Sequence, residues 1–188
     1  QDLVYTHVQG GQFRWVTVST LMLALGTILH LVSPSVAGVT PNWTIATYCV
    51  AILLTRPSLS QTLGIGLVAA LINVLTSKSA FPYVNLLSEP GGALTAALVT
   101  RAMLSVKFRK IGGFDLTPIL SGFLATVVSG GIFVTILWKV LGLPDNVYMY
   151  GMWPMVLIVG ALNGAITPIL YIPAQRLFSK RGMLPSTD

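Results

Sequence analysis

Glu89 is the residue with the clearest capacity for chemistry, because it is the only acidic residue between Asp2 and Asp115. It stands where an apolar run begins, and an ionisable side chain at membrane depth is a functional candidate. Its carboxylate could bind the amine of a ligand. It could equally form a structural ion pair with Lys78 or Lys139, or cap a helix, and the sequence leaves these roles open.

Three segments combine aromatic rings with amide, hydroxyl and charged groups: 30–43, 76–92 and 138–153. A small-molecule pocket needs this mixture, although Trp and Tyr also gather at the membrane interface. Asn73 and Asn163 stand within apolar runs, where hydrogen bonding between helices is the alternative to ligand binding. We expect the rings to stack on a ligand and the Asn or Glu side chains to orient it. The candidate substrate-binding residues are His30, Asn42, Trp43, Tyr83, Asn85, Glu89, Tyr150, Trp153 and Asn163.

Other kinds of chemistry lack the residues that they require. The sequence contains no G-x-S-x-G motif, no carboxylate pair within one apolar run and no glycine-rich phosphate loop, so we expect neither an enzyme nor an ATPase. His30 has no second His or Cys at helical spacing, and we therefore expect no metal site and no cofactor. The single cysteine, Cys49, excludes an intramolecular disulfide and favours a buried apolar role.

The elements that must position these residues are membrane-spanning helices. The 188-residue chain is 54% hydrophobic and only 9% charged, whereas a soluble domain carries about 25% charged residues. About 20 apolar residues cross a bilayer, and the apolar runs lack the alternation of barrel strands. The sequence predicts an all-α integral membrane protein, a single domain (1–188) in which six transmembrane helices form one compact bundle. The predicted spans lie at about 15–33, 42–56, 58–77, 86–106, 116–140 and 151–178.

The distribution of Lys and Arg predicts the orientation of the bundle. With the N-terminus inside, the outer segments contain only Lys78 and Lys139. The inner segments contain Arg14, Arg56, Arg101, Lys107, Arg109, Lys110, Arg176, Lys180 and Arg181. The positive-inside rule then places both termini in the cytoplasm, and the net charge of +6 reflects topology and not nucleic-acid binding. The cluster Lys107–Lys110 is interpreted as a loop anchor, with anionic-lipid binding as the alternative.

Small residues four positions apart indicate where helices pack closely. Gly160 and Gly164 form a GxxxG pattern in the last span, and similar pairs occur on the first, third and fourth spans. We assign most of these to internal packing, with Thr20 and Ala24 as a candidate docking face for another membrane protein. Prolines 154, 168 and 173 are expected to break or kink the last span. The first run lacks a cleavage site and is interpreted as a span; since the chain begins at Gln1, we expect further residues upstream.

Several short motifs resemble one known family. Six short spans in under 200 residues, with a first helix that reads LMLALGTIL at 21–29, resemble the substrate-binding S-components of energy-coupling factor (ECF) type ABC importers. The stretch 30–97 looks most like the tryptophan-transporter subfamily. The matching residues are Leu29-His30, Pro34, Gly38, Pro41, Ile52-Leu53-Leu54, Pro57, Leu75-Thr76, Pro82, Asn85, Glu89-Pro90, Leu162-Asn163 and Pro173. The chain departs from that subfamily at Asn42, where an acid is usual, and at Ser88-Glu89, where an acid–base pair is usual.

The resemblance implies a mechanism. S-components capture a vitamin or similar micronutrient from outside, and they then associate with an EcfT-like membrane coupling protein and two cytoplasmic ABC ATPases. The family's docking surface uses small residues on the first helix, and the corresponding positions here are Thr20, Ala24 and Ile28, of which Ile28 is not small. The resemblance also implies a bacterial plasma membrane as the location.

The leading hypothesis is therefore the substrate-binding subunit of an ECF-type importer. The aromatic residues in these segments suit a ligand with a flat ring, such as an indole, a purine-like base, a flavin-like ring or a porphyrin. A porphyrin would make His30 an axial ligand. The alternative from another class is a structural or assembly subunit that binds no ligand. An autonomous channel or carrier and an intramembrane enzyme are weaker alternatives.

Overall fold

The computed structural model describes residues 13–33, 41–77, 79–106, 110–111 and 114–180, and six α-helices account for most of them. The helices are α1 (Arg14–Val32), α2 (Trp43–Thr55), α3 (Leu59–Thr76), α4 (Asn85–Leu104), α5 (Thr117–Leu141) and α6 (Trp153–Lys180). A 3-10 turn (Pro82–Val84) leads into α4, and a π-helical segment (Val147–Met152) leads into α6. Between α4 and α5, Lys110–Ile111 and Phe114–Asp115 pair as two antiparallel strands, β1 and β2.

Local sequence explains where several helices begin and end. The Asn42 side chain accepts a hydrogen bond from the Ile45 amide and caps α2. Ser58 and Gln61 form a reciprocal capping box at the start of α3, which satisfies two donors that the first turn leaves open. Helix α5 ends at Gly142, whose φ of 60° is a left-handed conformation that glycine adopts without strain.

The predicted fold class is confirmed, since the described chain is a bundle of six helices. Four helical segments are long and apolar enough to cross a membrane: Arg14–Val32, Leu59–Thr76, Thr117–Leu141 and Val147–Phe178. Helix α2 is apolar but only 13 residues long. Helix α6 is continuous through Pro168 and Pro173, so these prolines do not break it. The π-helical segment was not predicted, because its residues were assigned to a loop.

Helix α2 forms the centre of the bundle. Eleven of its residues, Thr44–Leu54, are buried, and it packs against all five other helices. A helix enclosed by protein does not have to match the thickness of the bilayer, which accounts for its short length. Around it, α4 packs between α3 and α5, and α5 packs against α6.

Glycines permit the closest approaches between these helices. Gly160 and Gly164 of α6 both face Phe123 of α5, as expected for internal packing of the GxxxG pattern. Gly66 of α3 lies against the backbone of Pro90 in α4. The small residues of the third and last spans therefore set distances between helices.

Candidate functional site

A cavity of about 690 Å³ lies at one end of the bundle. It is found where α1 and α3 end and where α2, α4 and α6 begin, so that all six helices contribute to its wall. This volume is typical of small-molecule sites, which span about 300–1,000 Å³. The lining residues are His30, Leu31, Ser33, Asn42, Ile45, Asn73, Thr76, Ser77, Asn85, Ser88, Glu89, Thr126, Ser129, Gly130, Phe133, Val134, Met152, Met155, Val156 and Val159.

A chain of hydrogen bonds holds a carboxyl group at the wall of this cavity. Glu89 is only 1% exposed, and its Oε1 accepts a hydrogen bond of 2.8 Å from Asn73 Nδ2. The Thr44 hydroxyl donates to Asn73 Oδ1 over 3.0 Å. This second bond orients the amide so that its NH₂ group faces the carboxyl. Three helices thus cooperate to place one acceptor: Thr44 is on α2, Asn73 on α3 and Glu89 on α4.

The second oxygen of this carboxyl has no hydrogen-bond partner among the described residues. The Asn42 side chain and the Tyr48 hydroxyl lie close to Glu89, yet Oε2 makes no hydrogen bond to any residue that the structure describes. An unsatisfied buried polar atom costs free energy, about 1–3 kcal/mol, and more where the group is charged. Glu89 lines the cavity, so its carboxyl keeps the capacity to accept a further hydrogen bond at the cavity wall.

A separate polar network joins α6 to α5 and α2 behind the cavity wall. Asn163 is fully buried, and its Nδ2 donates to Thr126 Oγ1 over 2.9 Å and to the Asn42 carbonyl over 3.1 Å. Thr126 and Asn42 themselves line the cavity. Asn163 is therefore positioned to hold two lining residues in place and does not itself line the cavity.

The remaining wall is mainly apolar and carries no Lys or Arg among its described residues. Its apolar part is formed by Ile45, Phe133, Met152, Met155 and neighbouring valines, and hydroxyl groups of α4 and α5 add hydrogen-bonding capacity. An apolar wall with a few convergent polar groups is the usual composition of a small-molecule site.

The structure brings some of the predicted site residues to the cavity and leaves others outside its lining. His30, Asn42, Asn85 and Glu89 line it, and Asn163 lies directly behind it. The four predicted aromatic residues do not line it, namely Trp43, Tyr83, Tyr150 and Trp153.

Each of these aromatic side chains has another environment. Tyr83 is 60% exposed and makes an edge contact with Phe81. Tyr150 is 84% exposed. Trp153 lies against Gly131 of α5 and makes an edge contact with Tyr148. Trp43 is half-buried in the first turn of α2.

The sequence indicated that the outer halves of the fourth to sixth spans form the pocket, but no individual residue of α5 was among the predicted site residues. Thr126, Ser129, Gly130 and Phe133 all line the cavity, and their spacing of three and four residues places them on one helical face. A stripe of hydroxyl residues and glycine within an apolar span was the available signal. Asn73 was recognised as a polar residue in a span but was not included among the candidate ligand contacts.

The predicted docking residues lie on one exposed face of α1. Thr20, Ala24 and Ile28 are all exposed, and Leu21 and Leu25 extend the same apolar surface. Such a face contacts lipid or another membrane protein. Among the described residues, no cluster of His, Cys, Asp and Glu could hold a metal ion.

Comparison with known proteins identifies one family. The family model described as tryptophan transporter TrpP matches residues 12–179. No curated protein and no solved structure matches the chain.

Proposed function

The chain belongs to the tryptophan transporter TrpP family, and from this premise we propose that it is the substrate-binding subunit of an ECF-type importer for a tryptophan-like, ring-containing micronutrient. The resemblance seen in the sequence is thereby confirmed at the level of the family, and the chain is a membrane transport protein and not an enzyme. The substrate, the coupling partners and the orientation in the membrane are the parts that we propose.

The observation that carries the proposal is the cavity, whose wall contains the Glu89 carboxyl hydrogen-bonded to Asn73. A flat ring fits an apolar wall that contains Phe133, Met152 and Met155, because aromatic and thioether side chains make favourable contacts with rings. The polar groups of Glu89 and Asn42 stand at the same cavity and can orient the ligand. We include the other predicted contacts, among them Tyr83 and Trp153, as residues that approach the ligand when the outer loops close over it.

The positions of the arginines support an outward-facing cavity. Arg14, Arg56, Arg101 and Arg176 lie near the ends of α1, α2, α4 and α6 that are opposite the cavity. Arg14 donates to the Leu54 carbonyl over 2.7 Å, and Arg101 donates to the Pro57 carbonyl over 2.9 Å. Since cationic loops stay in the cytoplasm, we place both termini inside and the cavity at the outer face of a bacterial plasma membrane.

In this proposal the energy for import comes from other subunits, and the sequence contains no nucleotide-binding motif of its own. We propose that an EcfT-like coupling protein contacts the exposed face of α1 at Thr20, Ala24 and Ile28, and that two ABC ATPases drive the cycle from the cytoplasm. Small side chains at Thr20 and Ala24 let a partner helix approach closely.

Equilibrium binding of radiolabelled L-tryptophan to the purified protein tests the binding function. Met155 lines the cavity and is 40% exposed, so Met155→Trp should fill the site and abolish binding. Met149 is 56% exposed and does not line the cavity, and Met149→Trp is the matched control that should bind normally. Equal binding by both variants would refute the assignment of the cavity.

ATP-dependent uptake in vesicles that also contain a coupling protein and two ATPases tests the partners. Ala24→Trp should stop uptake while leaving tryptophan binding intact, because it blocks only the docking face. Leu67→Trp, at a position of α3 that is 49% exposed, is the control and should leave both activities intact. Uptake without ATPases, or undiminished uptake by Ala24→Trp, would contradict this part of the proposal.

A further inference from the structure

Building on the proposed function, we propose that Glu89 binds the ammonium group of the substrate, so that the site selects aromatic amines and does not require the substrate to carry a carboxylate. The substrate class that follows is an arylalkyl ammonium, of which tryptophan is one member and tryptamine is another.

The first argument is the asymmetry of the Glu89 carboxyl. Oε1 is held by Asn73 at 2.8 Å, whereas Oε2 has no hydrogen-bond partner among the described residues although the side chain is 99% buried. A structural role would be served best by satisfying both oxygens. One oxygen accepts from Asn73, and the other is buried beside Asn42 and Tyr48 without a hydrogen bond among the described residues. The carboxyl therefore keeps the capacity to accept from a ligand that enters the cavity wall.

The second argument is the direction of the hydrogen bonds that reach this carboxyl. The Thr44 hydroxyl donates to the Asn73 carbonyl oxygen, and the Asn73 amide donates to Glu89. This order presents Oε1 of Glu89 with a donor, so Oε1 acts as an acceptor. An acceptor-only carboxylate is the natural partner of an ammonium group, which has donors and no acceptor.

The third argument is the charge of the cavity wall. Among its described residues Glu89 is the only acid, and no Lys or Arg is present. His30 lines the same cavity. Lys139 lies over the ring of Trp138 at 3.8 Å and is not part of the wall. A cationic ligand thus meets a carboxylate, while the carboxylate of an amino-acid substrate meets no arginine or lysine in the described wall. Lys78, the other ion-pair partner that the sequence suggests for Glu89, lies outside the described residues.

Competition binding with three indole compounds tests this inference. L-tryptophan has an amine and a carboxylate, tryptamine has only the amine, and indole-3-propionate has only the carboxylate. We expect tryptamine to bind within about tenfold of L-tryptophan, and indole-3-propionate to bind at least about 100-fold more weakly, because losing one partner of a buried charge pair has effects of this size.

Two variants separate the role of the charge from a role in folding. Glu89→Gln should weaken L-tryptophan and tryptamine by about 100-fold, equal to about 2.8 kcal/mol at 1.4 kcal/mol for each tenfold change, and should leave indole-3-propionate nearly unchanged. Glu89→Asp keeps the charge and should retain the preference for amines, even if affinity falls. Asp145→Asn removes an exposed acid outside the cavity and should change none of the three affinities.

The outcomes distinguish this inference from the function on which it rests. If the folded wild-type protein binds none of the three compounds, the proposed function fails and the inference fails with it. If it binds L-tryptophan and indole-3-propionate equally well, or if Glu89→Gln leaves tryptamine binding unchanged, the binding function stands and the role of Glu89 is refuted.

Discussion

Gly66 sets the distance between α3 and α4, and Gly66→Ala is expected to disturb a site that lies two helical turns away. A Cβ atom at this position would lie 2.6 Å from Pro90 Cα and 3.1 Å from Pro90 N. Both neighbours are backbone atoms, so no change of rotamer relieves the contact. Ordinary contact needs 3.4–4 Å, and α3 and α4 must therefore separate by about 1 Å.

Separating α3 from α4 would lengthen the hydrogen bond between Asn73 and Glu89. Pro90 follows Glu89 in α4, and Asn73 lies seven residues beyond Gly66 on α3, a distance of about 10 Å along the helix. A shift of about 1 Å would stretch the 2.8 Å bond between Asn73 Nδ2 and Glu89 Oε1 past the 3.2 Å limit of a good hydrogen bond. We expect L-tryptophan to bind about tenfold more weakly.

Gly64→Ala provides the matched control, because a Cβ atom there has no neighbour within 4 Å. Both substitutions gain about 0.5–1 kcal/mol of helix propensity, so their difference isolates the cost of overpacking, about 1–3 kcal/mol. A shift of about 2–4 °C per kcal/mol applies to a chain of this size. Gly66→Ala should therefore unfold about 2–12 °C below Gly64→Ala in detergent, as followed by far-UV circular dichroism. Equal unfolding temperatures and equal affinities for the two variants would refute the reasoning.

Two further outcomes are expected. Asn73→Leu should lower the free energy of unfolding by about 1–3 kcal/mol, because it leaves Glu89 without its donor. In a double-mutant cycle, Thr44→Val should lower the free energy of unfolding less in the Asn73→Leu background than in the wild type. Strict additivity would show that the two residues act independently. A membrane-impermeant maleimide should label Tyr150→Cys in intact cells, but it should label Ser105→Cys only after permeabilisation. The native Cys49 is buried and should not react. The reverse labelling pattern would show the opposite orientation in the membrane.

The helices were predictable from sequence because a membrane restricts the choice of backbone structure. Within lipid every backbone group must be satisfied inside the protein, and a long apolar run therefore becomes a helix. The predicted span at 58–77 corresponds to α3 (Leu59–Thr76), and the one at 116–140 corresponds to α5 (Thr117–Leu141). The π-helical segment Val147–Met152 escaped prediction because polar residues and a proline precede it, a composition that is typical of loops.

The cavity was only partly predictable, because a single sequence does not show whether a Trp or Tyr lines a ligand pocket or lies at the membrane interface. Trp and Tyr suit both a ligand pocket and the membrane interface, and the highly exposed Tyr150 does not line the cavity. Glu89 was identified from the rarity of acids in the chain. Thr44, which donates to Asn73, was not identified, since nothing in a run of apolar and hydroxyl residues indicates which helix it will face.

The burial of Glu89 is itself an argument about function. Removing a carboxyl group from water is costly unless hydrogen bonds compensate it, and this chain compensates one oxygen through Asn73 and Thr44. The other Glu89 oxygen is buried without a hydrogen bond among the described residues, although Asn42 and Tyr48 lie nearby. Replacing a buried charged group by a well-packed apolar residue is often neutral or stabilising, so folding alone does not require a carboxyl group at this position. In the proposed function a ligand supplies the missing donor, and binding then recovers the free energy that folding alone leaves unsatisfied.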